Sequence, residues 1–400
     1  MRRLFLASAL AVSLLSLGAC SGSSGESATS GSSAEAEGDK IVTIGVLAPL
    51  DGGLTDFGRG IRNSVELAVR EANAAKAVPG WTIAVKAVDD SSDATKGTAG
   101  ASTLSADTSV VAVVGPYNSG VAAAVLPTLQ KGGLALVSPS NTLTSLSLGD
   151  NVSTPKRPFD NYFRMVGNDA KQGEYLADQA LKLGLKKAAV VSETKAVSKG
   201  LADIFATAFK AKGGVVTVQQ TVPDGATDFS GFVSAASATS PEFIFFGGEY
   251  PVAASLRKAA TTANLKIPVM GGDGIKDDAF ITKAGADGAG TLASSVGTPI
   301  DKLTSAEGFV KAYKAAGFAE GSSEYGVYAY DAANAVIRTL KAALASAKTP
   351  AEARSAVIKA LATTTFDGSS GPVAFDAFGD PKTPKFTLYK VVGTSWVAQG

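Results

Sequence analysis

The sequence predicts an α/β protein built from two doubly wound units with extra elements after residue 290. Three observations carry this. From Ile41 onward, short apolar runs alternate with amphipathic stretches of helical length, the order that gives parallel sheets covered by helices. The alternation runs through two successive series, and ten or more parallel strands in one sheet is uncommon, so two sheets are expected rather than one. The chain has 400 residues, 45% of them apolar, enough for two domains with sizeable cores.

In the first series, the apolar run 41–47 reads as a buried strand. Residues 57–75 follow as a helix, with Ile61, Val65, Leu67, Ala68 and Ala72 at helical spacing. A strand at 81–88, a helix at 97–106 and a strand at 110–114 come next. The helix 119–131 carries Pro127 as a kink, and the strand 134–137 closes the series. The second series opens with a strand at 162–166 and a helix at 169–183. Strand and helix then pair at 188–191 with 199–211, 215–222 with 229–238, and 243–246 with 252–263, before a strand at 267–270. A strand at 291–296 precedes helices at 306–316, 325–346 and 350–361. The stretch 371–397 alternates like strand and is broken by Gly379-Asp380-Pro381, which suggests a terminal hairpin.

Ahead of the folded body, Arg2 and Arg3 precede an apolar run from Leu4 to Leu17, which ends in Leu17-Gly18-Ala19-Cys20. The run is too short to span a bilayer comfortably and reads as a signal peptide over 1–19. An ordinary secretory signal that happens to end near a cysteine is the plainer alternative. Residues 20–40 are mostly Ser, Gly, Ala, Thr and Glu, a composition that cannot bury a core and behaves as a flexible tether. Losing 1–19 removes two arginines and takes the formal charge from +1 to about −1. Binding to a membrane through basic charge is therefore not expected.

Composition excludes several chemistries. The chain has no histidine, so a Ser-His-Asp triad, a Cys-His pair and a His-ligated metal are impossible. Its single cysteine allows neither an internal disulfide nor a Cys-rich metal site. The balanced charge argues against a nucleic-acid surface. No nucleophile elbow, Walker A loop or dinucleotide fingerprint appears; the first strand runs into Ala48-Pro49-Leu50-Asp51-Gly52-Gly53. Asp89-Asp90 and Asp277-Asp278 read as loop or helix-start carboxylates. No catalysis, cofactor or metal is expected.

Polar strand-to-helix turns stand out instead. Gly115-Pro116-Tyr117-Asn118-Ser119-Gly120 ends one strand and opens a helix, and Ser138-Pro139-Ser140-Asn141-Thr142 ends the next strand. Both turns belong at the carboxyl edge of the same sheet, where open α/β folds bind ligands. A hydroxyl from each, with free backbone N–H groups at the helix start, suits a carboxylate.

Two resemblances sharpen this. Leu17-Gly18-Ala19-Cys20 resembles a bacterial lipobox, which implies a lipid on Cys20 and anchorage at the outer face of the cell membrane. From about residue 41 the body resembles the type I periplasmic binding proteins of the leucine/isoleucine/valine class. Ile44-Gly45-Val46-Leu47-Ala48-Pro49-Leu50, Phe57-Gly58, the two polar turns, Phe163-Arg164, Gly200-Leu201-Ala202, Asp228-Phe229-Ser230, Gly247-Gly248-Glu249-Tyr250-Pro251 and Gly271-Gly272-Asp273-Gly274 match in order and spacing.

The resemblance implies two Rossmann-like lobes joined by a three-stranded hinge near residues 160, 290 and 366, closing on a ligand in the cleft between them. Lobe 1 would comprise 41–160 and 290–365, and lobe 2 would comprise 161–289 and 366–400. It implies that Ser119 and Thr142 hold a ligand carboxylate, helped by N–H groups around Ser140 and Asn141. The Ser140 carbonyl and the Asp273 carboxylate would face an ammonium, Phe57 would stand beside the ligand side chain, and Glu249 or Tyr250 would contribute from lobe 2. It further implies a monomer that delivers a small, branched-chain or related aliphatic amino acid to the permease subunits of an ABC importer. The chain departs from the family at Lys195-Ala196-Val197-Ser198: Val197 stands where branched-chain binders often carry a tyrosine, which leaves the ligand side chain open. A sensor for an amide, urea or aromatic acid, and an anchored enzyme, are the alternatives in other classes.

Overall fold

The computed structural model describes residues 40–399. The signal segment, Cys20 and nearly all of the Ser/Gly-rich stretch lie outside the described residues. In the first part of the body, strands β1 (Lys40–Ala48), β2 (Trp81–Asp89), β3 (Val110–Val114), β4 (Ala135–Ser138) and β5 (Tyr162–Arg164) alternate with helices. These are α1 (Thr55–Ala74), α2 (Ala94–Ala106), α3 (Ser119–Lys131) and the single turn α4 (Ser145–Leu148). The five strands form a parallel sheet in the order β2-β1-β3-β4-β5. Strand β3, Val-Val-Ala-Val-Val, is buried along its whole length because helices cover both faces, while β2 at the edge is half-exposed. Helix α1 turns Phe57, Ile61, Val65, Ala68 and Ala72 into the core, the stripe that its spacing predicts.

The second part runs α5 (Asp169–Lys182), β6 (Lys187–Glu193), α6 (Ala196–Ala211), β7 (Val215–Val222), α7 (Ser230–Ser237), β8 (Phe243–Phe246), α8 (Tyr250–Thr262), β9 (Val269–Gly271), α9 (Asp278–Ala284) and β10 (Leu292–Ser295). Helices α10 (Glu307–Ala315), α11 (Gly326–Ala343) and α12 (Pro350–Leu361) then return to the first sheet, with α11 on α1 and α12 on β3. The hairpin β11 (Thr365–Gly368) and β12 (Gly371–Ala374) stays with them, because Asp331 of α11 accepts the N–H groups of Ser369 and Ser370 in its turn. Strands β13 (Thr387–Val392) and β14 (Ser395–Ala398) complete a second sheet of order β14-β13-β10-β9-β8-β6-β7. It is parallel from β7 to β10 and antiparallel at β13 and β14.

The two doubly wound lobes are present, with three shifts from the sequence expectation. Strand β5 opens the second series in the sequence, yet its residues Tyr162–Arg164 pair with Leu136–Ser138 in the first sheet. Strand β10, expected with lobe 1 from residue 290, pairs with β9 and β13 in the second sheet. The expected terminal hairpin is two hairpins, and Gly379-Asp380-Pro381 lies in the link between them. The chain therefore crosses between the sheets after β5, after β10 and after β12, several residues beyond the points expected from sequence.

One buried cation ties two of these crossings together. Arg164, fully buried at the end of β5, donates from Nε to Asp380 Oδ1 at 2.6 Å. Its Nη1 reaches the carbonyls of Asn141 and Leu143 at 2.9 and 3.1 Å, and Nη2 donates to Ser147. Asp380 Oδ2 accepts from Ser147 Oγ and Asn168 Nδ2 at 3.0 and 2.9 Å. A buried charge is tolerable only when paired and fully hydrogen-bonded. Here the pairing also fixes the polar turn after β4.

Candidate functional site: a cleft between the lobes

The turn after β3 is shaped by Gly115. Its φ is +110°, and a Cβ there would strike the Leu47 carbonyl. The turn delivers Asn118 to the N-cap of α3, but no side chain caps this helix, so its first N–H groups face outward at the positive end of the dipole. Ser119 Oγ accepts from the backbone N–H groups of Thr142 and Leu143 at 3.2 and 3.3 Å. With both acceptor positions occupied, the hydroxyl proton is left to donate.

The second turn differs from the sequence expectation. The N–H groups of Ser140 and Asn141 are accepted by Ser138 Oγ at 3.2 and 2.9 Å, so the N–H groups around Ser140 are held inside the turn. Asn141 is fully buried and donates to the carbonyls of Pro116 and Tyr117 at 2.9 and 2.7 Å, lacing the two turns together. The donors left for an anion are the Ser119 hydroxyl and the start of α3.

The facing lobe supplies charge. Each group lies at or just past the carboxyl end of a parallel strand: Glu193 ends β6 and Lys195 follows it, Gly247-Gly248-Glu249 follow β8, and Gly272-Asp273-Gly274 follow β9. Lys195 Nζ lies 2.9 Å from Glu249 Oε2 and 3.6 Å from Glu193 Oε1. Glu249 Oε1 accepts from Asn118 Nδ2 across the cleft at 2.9 Å. Asp273 Oδ1 accepts from Gln172 Nε2 at 2.7 Å, and Oδ2 accepts from Tyr325 Oη, just ahead of α11, at 2.6 Å.

Burial pushes the Asp273 carboxyl above its ordinary range, and the Tyr325 and Gln172 hydrogen bonds pull it back. Burial raises Glu193 too, against the Lys195 ammonium and the Gly225 N–H. Burial disfavours the Lys195 ammonium, but Glu249 and Glu193 outweigh it and hold its pKa above the usual lysine range.

Between the walls of the cleft the enclosed cavity measures about 40 Å³, within about 460 Å³ of space when the part open to solvent is included. Ser119, Ser140, Thr142, Val197, Glu249 and Asp273 all line it. Phe57, Asn141 and Tyr250 do not. The Phe57 ring is completely buried behind Tyr117, stacked at 4.7 Å, and Tyr117 with Tyr325 forms the aromatic wall in its place. Tyr250 turns away, and its hydroxyl donates to the Gly53 carbonyl at 2.8 Å. Between Glu249 and Tyr250, the glutamate faces the cleft.

Glu193, Lys195, Asn118, Tyr117 and Tyr325 are lining residues that the sequence expectation did not select. Tyr117 and Asn118 sat inside a quoted turn and Lys195 inside the quoted departure. Tyr325 had no local signal, since its partner Asp273 is 52 residues away. The acid pairs are structural: Asp277 caps α9 by accepting from Ala279 N at 2.8 Å, and Asp89 accepts from Leu50 N at 2.8 Å.

Comparisons with known proteins agree with this fold. The family model described as periplasmic binding protein matches residues 41–394. The Leu/Ile/Val-binding protein homolog 3 of Brucella melitensis is 30% identical over 87% of this chain and 91% of its own length. The Leu/Ile/Val-binding protein BraC3 of Rhizobium johnstonii is 28% identical over 87% and 91%. Among solved structures, the branched-chain amino acid transporter substrate-binding protein LivJ of Streptococcus pneumoniae, in complex with isoleucine, aligns with a TM-score of 0.78. It is 25% identical, covering 90% of this chain and 99% of that one. The leucine-binding protein LivK of Thermotoga maritima aligns with a TM-score of 0.80 at 23% identity, covering 90% and 98%, and supports the fold. On the breadth of these matches and the two-lobed cleft, this chain belongs to the periplasmic binding protein family, whose members bind solutes and are not enzymes.

Proposed function

We propose that this protein is an extracytoplasmic solute-binding protein that captures an α-amino acid between its lobes and hands it to the permease of an ABC importer. The observation that carries this is the polarity across the cleft. The Ser119 hydroxyl and the uncapped start of α3 offer donors to a carboxylate on one side, and the buried Asp273 carboxylate offers an acceptor to an ammonium on the other. A zwitterion satisfies both ends, and burying either end mispaired costs about 1–3 kcal/mol. The relatives named for leucine, isoleucine and valine make those the first solutes to test. Isothermal titration of the chain lacking 1–19 against the twenty amino acids is expected to find one-site binding to a small subset. No heat from any of them overturns the proposal.

The proposal includes a monomer tethered by a lipid on Cys20, motivated by Leu17-Gly18-Ala19-Cys20 and the Ser/Gly-rich stretch behind it. Cys20→Ser is expected to release the protein from membranes into the soluble fraction. Retention at the membrane would remove the anchor from the proposal.

A further inference from the structure

We infer that the solute carries a nitrogen donor at the tip of its side chain, an amide or an ammonium, and that Glu193 Oε2 receives it. This rests on the amino-acid proposal and names the class of amino acid.

The inference comes from accounting for hydrogen-bonding capacity. An α-amino acid with an aliphatic side chain brings one donor group, its ammonium. Asp273 meets that group with lone pairs remaining on two oxygens that are already held in place by Gln172 and Tyr325. Two more acceptors line the same cleft and have no partner among the described residues: Glu193 Oε2 and Asn118 Oδ1. The Glu193 side chain is completely buried, and its other oxygen accepts from Gly225 N at 2.9 Å. The lining side-chain atoms without any partner are both acceptors, and the one free donor proton, on Ser119, is already assigned to the ligand carboxylate, so the remaining deficit is of donors. An orphaned buried acceptor costs about 1–3 kcal/mol, more when charged, and an aliphatic ligand closing the cleft would leave Glu193 in that state.

Shape and charge agree. Gly248 lines the cleft directly beside Glu193 Oε2, and the absence of a Cβ there gives the oxygen its place: any side chain at 248 would collide with it. Glu193, Glu249 and Asp273 face a single lysine, Lys195, an excess of negative charge that an apolar ligand does nothing to relieve. The wall where an aliphatic chain would rest is short: Val197 and Leu201 are its only aliphatic side chains.

The test titrates the full chain lacking 1–19 with L-leucine, L-glutamine and L-lysine. Glutamine or lysine is expected to bind about tenfold or more tightly than leucine, the factor for one added hydrogen bond to a charged partner. Glu193→Ala is expected to collapse that preference to within about threefold. Glu193→Gln keeps the size, guards against misfolding of the alanine variant, and separates the two sources: it lowers affinity for lysine strongly and for glutamine little. Leucine binding tightest, or a preference indifferent to both variants, overturns the inference while the amino-acid proposal survives. Absence of binding by every amino acid overturns both.

Discussion

The two lobes face the same solute with opposite means. The first lobe offers neutral donors, a serine hydroxyl and helix N–H groups, set by turns whose own polar atoms are nearly all paired within the lobe. The second lobe offers formal charges, Glu193, Lys195, Glu249 and Asp273, and two of these, besides their partners Lys195 and Gln172 in the same lobe, accept a further hydrogen bond across the cleft, Glu249 from Asn118 and Asp273 from Tyr325. The first lobe's turns are thus held mainly by bonds within the lobe, whereas the second lobe's carboxylates also take bonds across the cleft. A ligand that neutralises the charged face also holds the lobes together, which is the differential contact that a closing motion requires.

The sharpest way to break the comparison is at the anchor both lobes share. Asp380→Ala leaves the guanidinium of the fully buried Arg164 unpaired. Loss of one partner of a buried pair costs about 3–5 kcal/mol, and urea denaturation is expected to show a loss of that size. Because Arg164 also holds the carbonyls of Asn141 and Leu143, amino-acid affinity should fall with it. A variant as stable as the parent would show that the crossings are fixed by packing alone.

Next comes the site, one lobe at a time. Asp273→Asn removes the charge opposite the ammonium and is expected to weaken binding by about 10–100-fold, the range for a hydrogen bond to a charged group. Ser119→Ala, in the neutral lobe, is expected to lie near the lower end, about tenfold. Titration calorimetry on the two variants orders them; equal affinity loss would erase the contrast between the lobes, and full affinity in both would dismiss the site.

How much of this was legible follows the same division. The first lobe's turns could be read because a polar cluster between an apolar strand and an amphipathic helix has few roles, and Ser119 and Thr142 lie where they were expected. The errors there were of depth: Phe57 has the right character but sits one layer back, and Asn141 laces turns together. In the second lobe Asp273 was expected only from the family resemblance, on Gly271-Gly272-Asp273-Gly274, and it lines the cleft. Glu193 and Lys195 carry no local signal of their role, because burial and pairing are set by segments far away in sequence. Tyr325 was invisible for that reason. The crossing points slipped because β5 and β10 are three- and four-residue strands whose sheet is decided by register with distant partners, not by local pattern.

The pH dependence of stability offers a milder test. Burial pushes the Asp169 carboxyl, beside the second polar turn, up to about 7, with the Thr142 hydroxyl pulling against it. The folded chain therefore keeps a proton that the unfolded chain loses near the ordinary value of 3.8. Its contribution to stability is complete below that value and is lost as pH rises to about 7, at up to about 1.4 kcal/mol per pH unit. The chain has no histidine to titrate in this window. Urea midpoints at pH 5 and pH 7.5 should differ less in Asp169→Asn than in the parent, and an unchanged difference would place the titration elsewhere.

The smallest expected effect concerns closure itself. Tyr325→Phe removes one hydroxyl and leaves the ring, so the aromatic wall with Tyr117 and Phe57 is retained. Asp273 then loses the only donor it receives from the first lobe and keeps Gln172 from its own. A net hydrogen bond is worth about 0.5–1.5 kcal/mol, so affinity should fall by about two- to tenfold. If the bond acts by joining the lobes, the loss should appear as faster dissociation, since a closed cleft releases its ligand only after opening. Stopped-flow dissociation separates this from a simple change in the acid: a slower association at constant off-rate would place Tyr325 in the wall alone. It would also make the second lobe's charges as self-sufficient as the first lobe's turns.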